Sequence, residues 1–205
     1  MMMLLSAASI IGKQTDTAMI IIGGISIVLL ALIVFFALFF VIKYSKKRNP
    51  NPTDVEGSKS LEILFLVFSI SLVLFMFDIG WKGYKELRVE IPANAMSVKA
   101  TGQIWHWSFE YDNGKQSDVL NLPVNKPVII NITSLDLIHS FYIPAFRVKQ
   151  DALPGSLRTI SFTPDEEGEY DLFCAEYCGT GHSMMLTKSV VMSEVKFREW
   201  YNSAE

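Results

Sequence analysis

A stretch of 25 uncharged residues restricts the environment in which this chain can fold more than any other feature of the sequence. It reads "AMIIIGGISIVLLALIVFFALFFVI" over residues 18–42. A helix rises about 1.5 Å per residue, so this stretch can cross a hydrocarbon layer of about 30 Å. A second apolar run covers residues 61–81, with Glu62 and Asp78 near its ends, where an ionisable group is least unfavourable. A buried core helix is the alternative for each run, but length and lack of charge favour two transmembrane helices.

Basic residues predict how these helices cross the membrane. Residues 43–60 hold five basic and two acidic side chains, whereas residues 1–17 hold only Lys13 and Asp16. Basic loops stay in the cytoplasm, so both termini are predicted to lie outside, although three basic residues after the second run oppose this orientation. The predicted segments are an extramembrane N-terminal stub at 1–17, transmembrane helix 1 at 18–42, a cytoplasmic loop at 43–60, transmembrane helix 2 at 61–81 and an exported domain at 89–205.

The exported part alternates short strand-like runs with turn signals. The run "MSVKATGQIWHWSFEY" ends at Asp112-Asn113-Gly114, a strong hairpin signal, and "KPVIINITSL", "LRTISFTP", "GEYDLFC" and "LTKSVVMS" follow it. The closing "SEVKFREWYNSAE" indicates a short helix. Several strands in about 100 residues are typical of a β-sandwich or a Greek-key barrel. Nine basic and 15 acidic residues give this part a net charge of −6, which suits a basic partner rather than nucleic acid.

Both cysteines of the chain lie in one segment, "CAEYCGTGHSMM", residues 174–185. Their C-x3-C spacing differs from the C-x2-C of a structural zinc site, and the C-x-x-C-H of a c-type haem is absent. A disulfide between Cys174 and Cys178 is the main alternative, because exported domains fold in an oxidising compartment. A disulfide, however, gives no role to His182 and Met185.

A copper site accounts for all of these side chains. Copper prefers thiolate, thioether and imidazole donors. One loop can direct both thiols, the imidazole and the thioether to one point, and His139, at the end of the strand-like run "LDLIHSFYIP", can add a second imidazole. Two bridging thiolates then hold two coppers with one imidazole each, and Met185 and the backbone carbonyl of Glu176 fill the weak positions. The predicted ligands are His139, Cys174, Glu176, Cys178, His182 and Met185.

The sequence resembles cytochrome c oxidase subunit II over about residues 18–200. The pattern Cys-x-Glu-x-Cys-x3-His-x2-Met with an upstream histidine is similar to the dinuclear CuA centre of that family. Two spans, "GQIWHWSFEY", "DLIHSFYIPAFRVKQDALPGSLRTISF" and the cysteine loop stand in the family's order. The resemblance implies a membrane-anchored all-β protein, a two-helix hairpin followed by a cupredoxin-like β-sandwich. It also implies electron transfer from cytochrome c through a copper pair to subunit I, where oxygen is reduced and protons are pumped.

The resemblance also implies roles for residues outside the cysteine loop. Trp105 matches the tryptophan that faces cytochrome c, and Glu110 and Asp136 match carboxylates of the docking surface. His106 stands where the family usually has tyrosine or another aromatic residue, and Leu135 stands where a carboxylate is often found. Core packing for Trp105 and surface solvation for the carboxylates are the alternatives without the family.

Further implications concern the assembly. Glu62 matches a carboxylate at the mouth of a proton channel of subunit I, and the Glu176 side chain matches a magnesium ligand at the boundary with subunit I. The implied partners are subunits I and III, membrane lipid, and cytochrome c or a cytochrome c domain of a larger respiratory assembly. The expected location is a bacterial cell membrane rather than the mitochondrial inner membrane, with the copper domain on the outer side. The alternatives are a copper-free quinol oxidase subunit II, another CuA carrier such as nitrous oxide reductase, and a disulfide-bonded structural subunit.

Overall fold

A computed structural model describes residues 7–51, 56–87 and 95–203 of the chain. The chain forms two compact units. One is Thr17–Tyr84, and the other combines Met1–Asp16 with Lys85–Glu205. The predicted start of the exported domain, residue 89, lies outside the described residues.

Two long helices account for the apolar runs. Helix α1 covers Ile10–Lys43 and helix α2 covers Lys59–Leu87, and both are long and apolar enough to cross a membrane. The predicted spans 18–42 and 61–81 fall inside them. Helix α1 begins eight residues before the first predicted span, because hydropathy marks only the part of a helix that suits lipid and not its polar continuation.

Between residues 95 and 203, the second unit forms ten strands and a C-terminal helix. They are β1 Met96–Gln103, β2 His106–Tyr111, β3 Gln116–Ser117, β4 Leu120–Pro123, β5 Val128–Ser134, β6 His139–Ile143, β7 Val148–Ala152, β8 Arg158–Phe162, β9 Gly168–Cys174, β10 Leu186–Met192 and α3 Glu194–Asn202. The strands make two five-stranded sheets, in the orders β3-β2-β1-β5-β8 and β4-β10-β9-β6-β7. Strand β1 runs parallel to β5, and β10 runs parallel to β4. The predicted β-sandwich is confirmed.

Alternating side chains build the core between the sheets. In β5, Val128, Ile130 and Ile132 are fully buried, while the residues between them are half-buried. This period of two is what a strand with one inward face requires. Trp107 of β2 and Phe141 of β6 meet edge to face across the sandwich, with ring centroids 5.8 Å apart. The same buried cluster extends to both cysteines and Met185, so the predicted metal loop is part of the core.

Several local predictions differ from the structure. The run "MSVKATGQIWHWSFEY" is divided into β1 and β2 by Ile104 and Trp105. His139 is the first residue of β6 rather than the last residue of a strand, because residues 135–138 form a loop. The Asp136 carboxylate stabilises this loop by accepting a hydrogen bond from the backbone N–H of Leu137. The hairpin turn at Asn113-Gly114 and the terminal helix are confirmed.

The residues before the first predicted span belong to the β-sandwich unit. Ser9 is fully buried, and its Oγ donates a hydrogen bond to the backbone oxygen of Phe146 at 2.9 Å. Asp16 forms an ion pair with Arg147, with the Oδ1 to Nε distance at 2.7 Å. The predicted stub therefore contributes to the packing of the exported domain from residue 7 onward, and its first six residues lie outside the described part.

Candidate metal centre

Three loops at one end of the sandwich surround the predicted ligands. They are the β1–β2 link at 104–105, the β5–β6 loop at 135–138 and the β9–β10 loop at 175–185. The backbone N–H of Cys174 donates to the oxygen of Met185 at 3.1 Å, and this bond closes the β9–β10 loop at its base. The loop is therefore held as a hairpin extension of two central strands.

The sulfur atoms of the site lie close together. Cys174 Sγ and Cys178 Sγ are 3.8 Å apart, and neither cysteine is in a disulfide. Cys178 Sγ lies 3.7 Å from the Sδ of Met185, which is only 1% exposed. The neighbouring Met184 is 72% exposed, so burial as well as spacing favours Met185. The Cys174 thiol lies 3.2 Å from the backbone oxygen of Glu176.

One imidazole approaches each sulfur. His139 Nδ1 is 3.8 Å from Cys174 Sγ, and His182 Nδ1 is 3.5 Å from Cys178 Sγ. The structure thus brings all six predicted donor groups together. His139, Cys174 and Cys178 have ligand atoms within 4.8 Å of one another, and they are the only such group in the described part of the chain. His182 lies outside this group although it contacts Cys178.

A carboxylate orients His139 from the other side of its ring. His139 is fully buried, and its Nε2 lies 2.8 Å from Asp136 Oδ1. An Nε2–H that donates to this carboxylate leaves the Nδ1 lone pair facing the sulfur of Cys174. Burial raises the pKa of Asp136, but hydrogen bonds from His139 and from the backbone of Ile104 and Leu137 outweigh it and lower the pKa to about 2. The carboxylate is therefore ionised at neutral pH.

The donor set fits a soft metal ion. Burial, and then the neighbouring Cys174 thiol, raise the pKa of Cys178 to about 11, so two thiolates at this position need a positive charge beside them. Two sulfur ligands, two imidazoles and a thioether are donors that copper prefers. Two cysteines and two histidines also suit zinc, but a tetrahedral zinc ion needs all four ligands equally close. His182 lies 3.5 Å from Cys178 Sγ but outside the close group of His139 and the two cysteines.

Trp105 lies directly on the metal loop. Its indole Nε1–H donates to the backbone oxygen of Cys178 at 3.1 Å, and the side chain remains partly exposed. A Cβ atom on Gly181 would lie 2.3 Å from the indole Cδ2, and one on Gly179 would lie 3.4 Å from the indole Nε1. The two glycines therefore allow the ring to approach the loop closely.

Comparisons with known proteins agree with this geometry. The family described as "Cytochrome C oxidase subunit II, periplasmic domain" matches residues 116–193. Cytochrome c oxidase subunit 2 of Cereibacter sphaeroides is 30% identical, with 89% of this chain and 74% of the relative covered. An alternative cytochrome c oxidase subunit 2 of Bradyrhizobium diazoefficiens is also 30% identical, with 92% and 79% covered. The chain belongs to the cytochrome c oxidase subunit II family.

The resemblance extends to solved structures and to other relatives. The periplasmic domain of subunit II of cytochrome oxidase from Bradyrhizobium japonicum is 34% identical, with a TM-score of 0.51 and with 54% of this chain and 93% of that one covered. Cytochrome c oxidase subunit 2 of Alkalihalophilus pseudofirmus is 31% identical, and the chain spans 55% of its length. This subunit II therefore has a cupredoxin-like outer domain anchored by two apolar helices, as the sequence predicts.

The remaining predicted residues of subunit II lie apart from the sulfur atoms. The Glu176 side chain pairs with Lys149, whose Nζ is 3.0 Å from Oε1. Glu110 is exposed on β2 and faces Lys99 at 3.5 Å. Glu62 lies in the first turn of α2, in the helical unit. Sequence reasoning missed the role of Asp136 as a partner of His139, although its position three residues before a predicted ligand was an available signal.

Proposed function

We propose that this subunit II holds two copper ions between Cys174 and Cys178. In this role it passes electrons one at a time from a c-type cytochrome to the oxygen-reducing subunit of the oxidase. The observation that carries the proposal is the convergence of two thiols, two imidazoles, a thioether and a backbone carbonyl in one buried place. A copper-free quinol oxidase subunit has no use for such a set.

The chain supplies a rigid frame for this chemistry. When bound, a copper pair supplies a one-electron redox couple. The backbone bond between Cys174 and Met185 and the Asp136–His139 contact hold ligands from both sides of the site. Because these groups are packed in the sandwich core, they change position little when the charge of the site changes. Small movement favours fast electron transfer.

Trp105 is the group that we assign to electron uptake. Its ring is partly exposed, and its Nε1–H contacts the carbonyl of Cys178. An electron donor that covers the ring is therefore separated from the proposed ligand Cys178 by Trp105 alone. The electron then passes to the copper ligands and onward to subunit I, with no proton transferred in this chain at that step.

The proposal includes a second metal and an assembly. We assign the Glu176 side chain to a magnesium ion at the boundary with subunit I, which requires Glu176 to exchange its present partner Lys149 for the ion. Carboxylate oxygen is a ligand that magnesium prefers. Subunits I and III, in a bacterial cell membrane, complete the proposed complex.

The substitution Cys178→Ser tests the copper pair. A hydroxyl is a poor substitute for a bridging thiolate, so copper content should fall and the near-infrared absorption of the pair should disappear. The measurements are metal analysis and optical spectroscopy on the full chain purified with its complex, with Met184→Leu as the control in the same loop. A Cys178→Ser protein that keeps two coppers and the same spectrum contradicts the dinuclear assignment. A wild-type protein without copper contradicts the proposed function.

A further inference from the structure

The segment that follows α1 concentrates positive charge without acidic partners. Residues 17–53 hold four basic and no acidic side chains, and all four basic residues lie within residues 43–48, which we call the basic segment. All four are exposed. Within the described residues of the helical unit, the ion pair is Lys82 with Asp78, which involves none of them. The basic segment therefore lacks a counter-charge from this unit.

Local contacts hold the basic segment at the end of α1. The backbone N–H of Arg48 donates to the oxygen of Ser45 at 2.8 Å, and the Ser45 Oγ donates to the oxygen of Ile42 at 3.1 Å. The Lys43 Nζ lies 5.5 Å from the centroid of the Phe39 ring, a cation–π distance. The segment therefore turns at the helix end instead of extending away from it.

An apolar groove of 590 Å³ lies between α1 and α2, within the same helical unit. Its lining on α1 extends from Leu29 to Phe36 and its lining on α2 from Phe65 to Val73. Apart from Ser69, the lining side chains are aliphatic or phenylalanine. The volume lies within the range of about 300–1,000 Å³ that is usual for ligand sites.

The distance between the groove and the basic segment matches the dimensions of one lipid layer. At about 1.5 Å per residue, the groove begins about 10 Å from Lys43 along α1 and ends about 20 Å from it. A hydrocarbon core of about 30 Å gives each layer about 15 Å. The groove therefore covers the inner part of the layer that adjoins the basic segment, where the acyl chain of a phospholipid with its phosphate at that segment would lie.

We propose that the helical unit binds one anionic phospholipid, with an acyl chain in the groove and the phosphate at the basic segment. Lysine and arginine bind phosphate, and clusters of them at the end of a membrane helix attract anionic lipid headgroups. An apolar helix of another subunit would fill the groove but would supply no counter-charge for the basic segment. An anionic phospholipid supplies both an acyl chain and a counter-charge. This site does not depend on copper, because the metal ligands lie in the other compact unit.

The first test changes the charge of the basic segment. Lys46→Gln combined with Lys47→Gln removes two charges, and Lys46→Arg combined with Lys47→Arg is the matched control that keeps them. The intact oxidase is equilibrated in phosphatidylcholine bilayers that contain a minor fraction of phosphatidylglycerol, and it is then extracted in mild detergent. Native mass spectrometry should count one phosphatidylglycerol fewer in the glutamine variant than in the wild type or the arginine control. Titration of the delipidated complex with phosphatidylglycerol should show affinity lower by about tenfold or more.

The second test fills the groove without changing any charge. Leu72 lines the groove, so Leu72→Trp should exclude the acyl chain and remove the same phosphatidylglycerol. The matched control is Leu74→Trp, which adds an equally large ring on the same helix at an exposed position outside the lining. Copper content and the optical spectrum should stay the same in all variants, because the metal ligands lie in the other unit.

Three results would overturn the lipid site. One is that either the glutamine variant or Leu72→Trp retains as much phosphatidylglycerol as the wild type. Another is that phosphatidylcholine replaces phosphatidylglycerol one for one in the wild-type complex, because the basic segment then contributes nothing to binding. The third is that Leu72→Trp loses the catalytic subunit during purification while the lipid count of the remaining intact complex is unchanged, which assigns the groove to subunit contact.

Discussion

At the scale of single residues, Asp136 is the clearest case of a side chain that serves the metal site indirectly. Its two oxygens accept hydrogen bonds from the ring of His139 and from the backbone N–H of Ile104, at 2.8 and 2.7 Å. These contacts connect the β1–β2 link to the β5–β6 loop. Asp136 therefore fixes the orientation of a ligand and the position of the residue before Trp105 at the same time.

The substitution Asp136→Asn should destabilise the domain. An amide offers one acceptor instead of two, so its NH₂ group would face a second donor at His139 or Ile104. The expected loss is about 1–3 kcal/mol in the free energy of unfolding, measured by denaturant titration of the copper-loaded protein. Glu110→Gln is the control, because an exposed pair such as Glu110–Lys99 is worth at most about 1 kcal/mol. Equal stability of the two variants would contradict the proposed role of Asp136 in orienting His139 and Ile104.

Met185 should affect the reduction potential of the copper site without being essential for copper binding. The side chain is buried and its Sδ lies 3.7 Å from Cys178 Sγ. Leucine has nearly the same volume, so Met185→Leu should preserve the fold and retain copper while it changes the reduction potential. A spectroelectrochemical titration measures this shift, with Met184→Leu as the exposed control. If Met184→Leu shifts the potential and Met185→Leu does not, the assignment of Met185 as a weak copper ligand is wrong.

At the scale of elements, the β1–β2 link packs closely on the β9–β10 loop because Gly181 has no side chain. Gly181 has φ −89° and ψ 8°, a backbone conformation that other residues adopt, so its small size rather than its flexibility is needed. A Cβ atom there would meet the indole of Trp105 at 2.3 Å. Glycine at position 181 therefore allows the Trp105 ring to pack against the loop.

The substitution Gly181→Ala should displace Trp105 without removing a ligand. The expected cost is about 1–3 kcal/mol of stability from overpacking, together with slower reduction of copper by the donor. Stopped-flow kinetics with the cytochrome and with a small inorganic reductant separate the two effects, since only the cytochrome reaction should slow. The control is Ser183→Ala in the same loop, at an exposed position. An unchanged rate with the cytochrome would show that the position of the ring is not important for electron uptake.

The sequence predicted these elements unevenly, for physical reasons. Strands β5, β8, β9 and β10 were predicted because β-branched or alternating residues mark an inward face. Strands β4 and β7 are at the sheet edges, and they are short and rich in polar residues or proline, so pattern alone did not separate them from loops. The donor groups that the structure brings together were predicted from residue type and spacing. The Asp136–His139 contact was not, because it depends on the loop conformation that no local pattern fixes.

At the scale of the whole molecule, the packing of residues 7–16 indicates how the chain is oriented in the membrane. Residues 7–16 pack in the β-sandwich unit, with Ser9 buried and Asp16 paired with Arg147. We therefore propose that residues 7–16 and the β-sandwich lie on the same side of the membrane. With two spans between them, this proposal assigns the connecting loop to the opposite side, in agreement with the cytoplasmic position that its basic charge predicts.

We propose that this topology places Glu62 at the cytoplasmic end of α2. The residue is exposed in the first turn of α2, at the end that adjoins the basic loop. A carboxylate at the terminus of a span can exchange protons with water, and the cytoplasm is the side from which an oxidase of this family takes its protons. We therefore assign Glu62 to proton uptake into the channel of subunit I.

The substitution Glu62→Gln should slow steady-state turnover of the oxidase while the copper pair is reduced by cytochrome at the wild-type rate. The amide keeps the size and polarity of the side chain but cannot carry a proton, and the metal site lies in the other compact unit. Turnover is measured by oxygen consumption and copper reduction by stopped flow, with Glu56→Gln, in the loop before α2, as the control. Parallel slowing of both rates would contradict a proton role, because a proton-uptake residue acts after the electron has entered the complex.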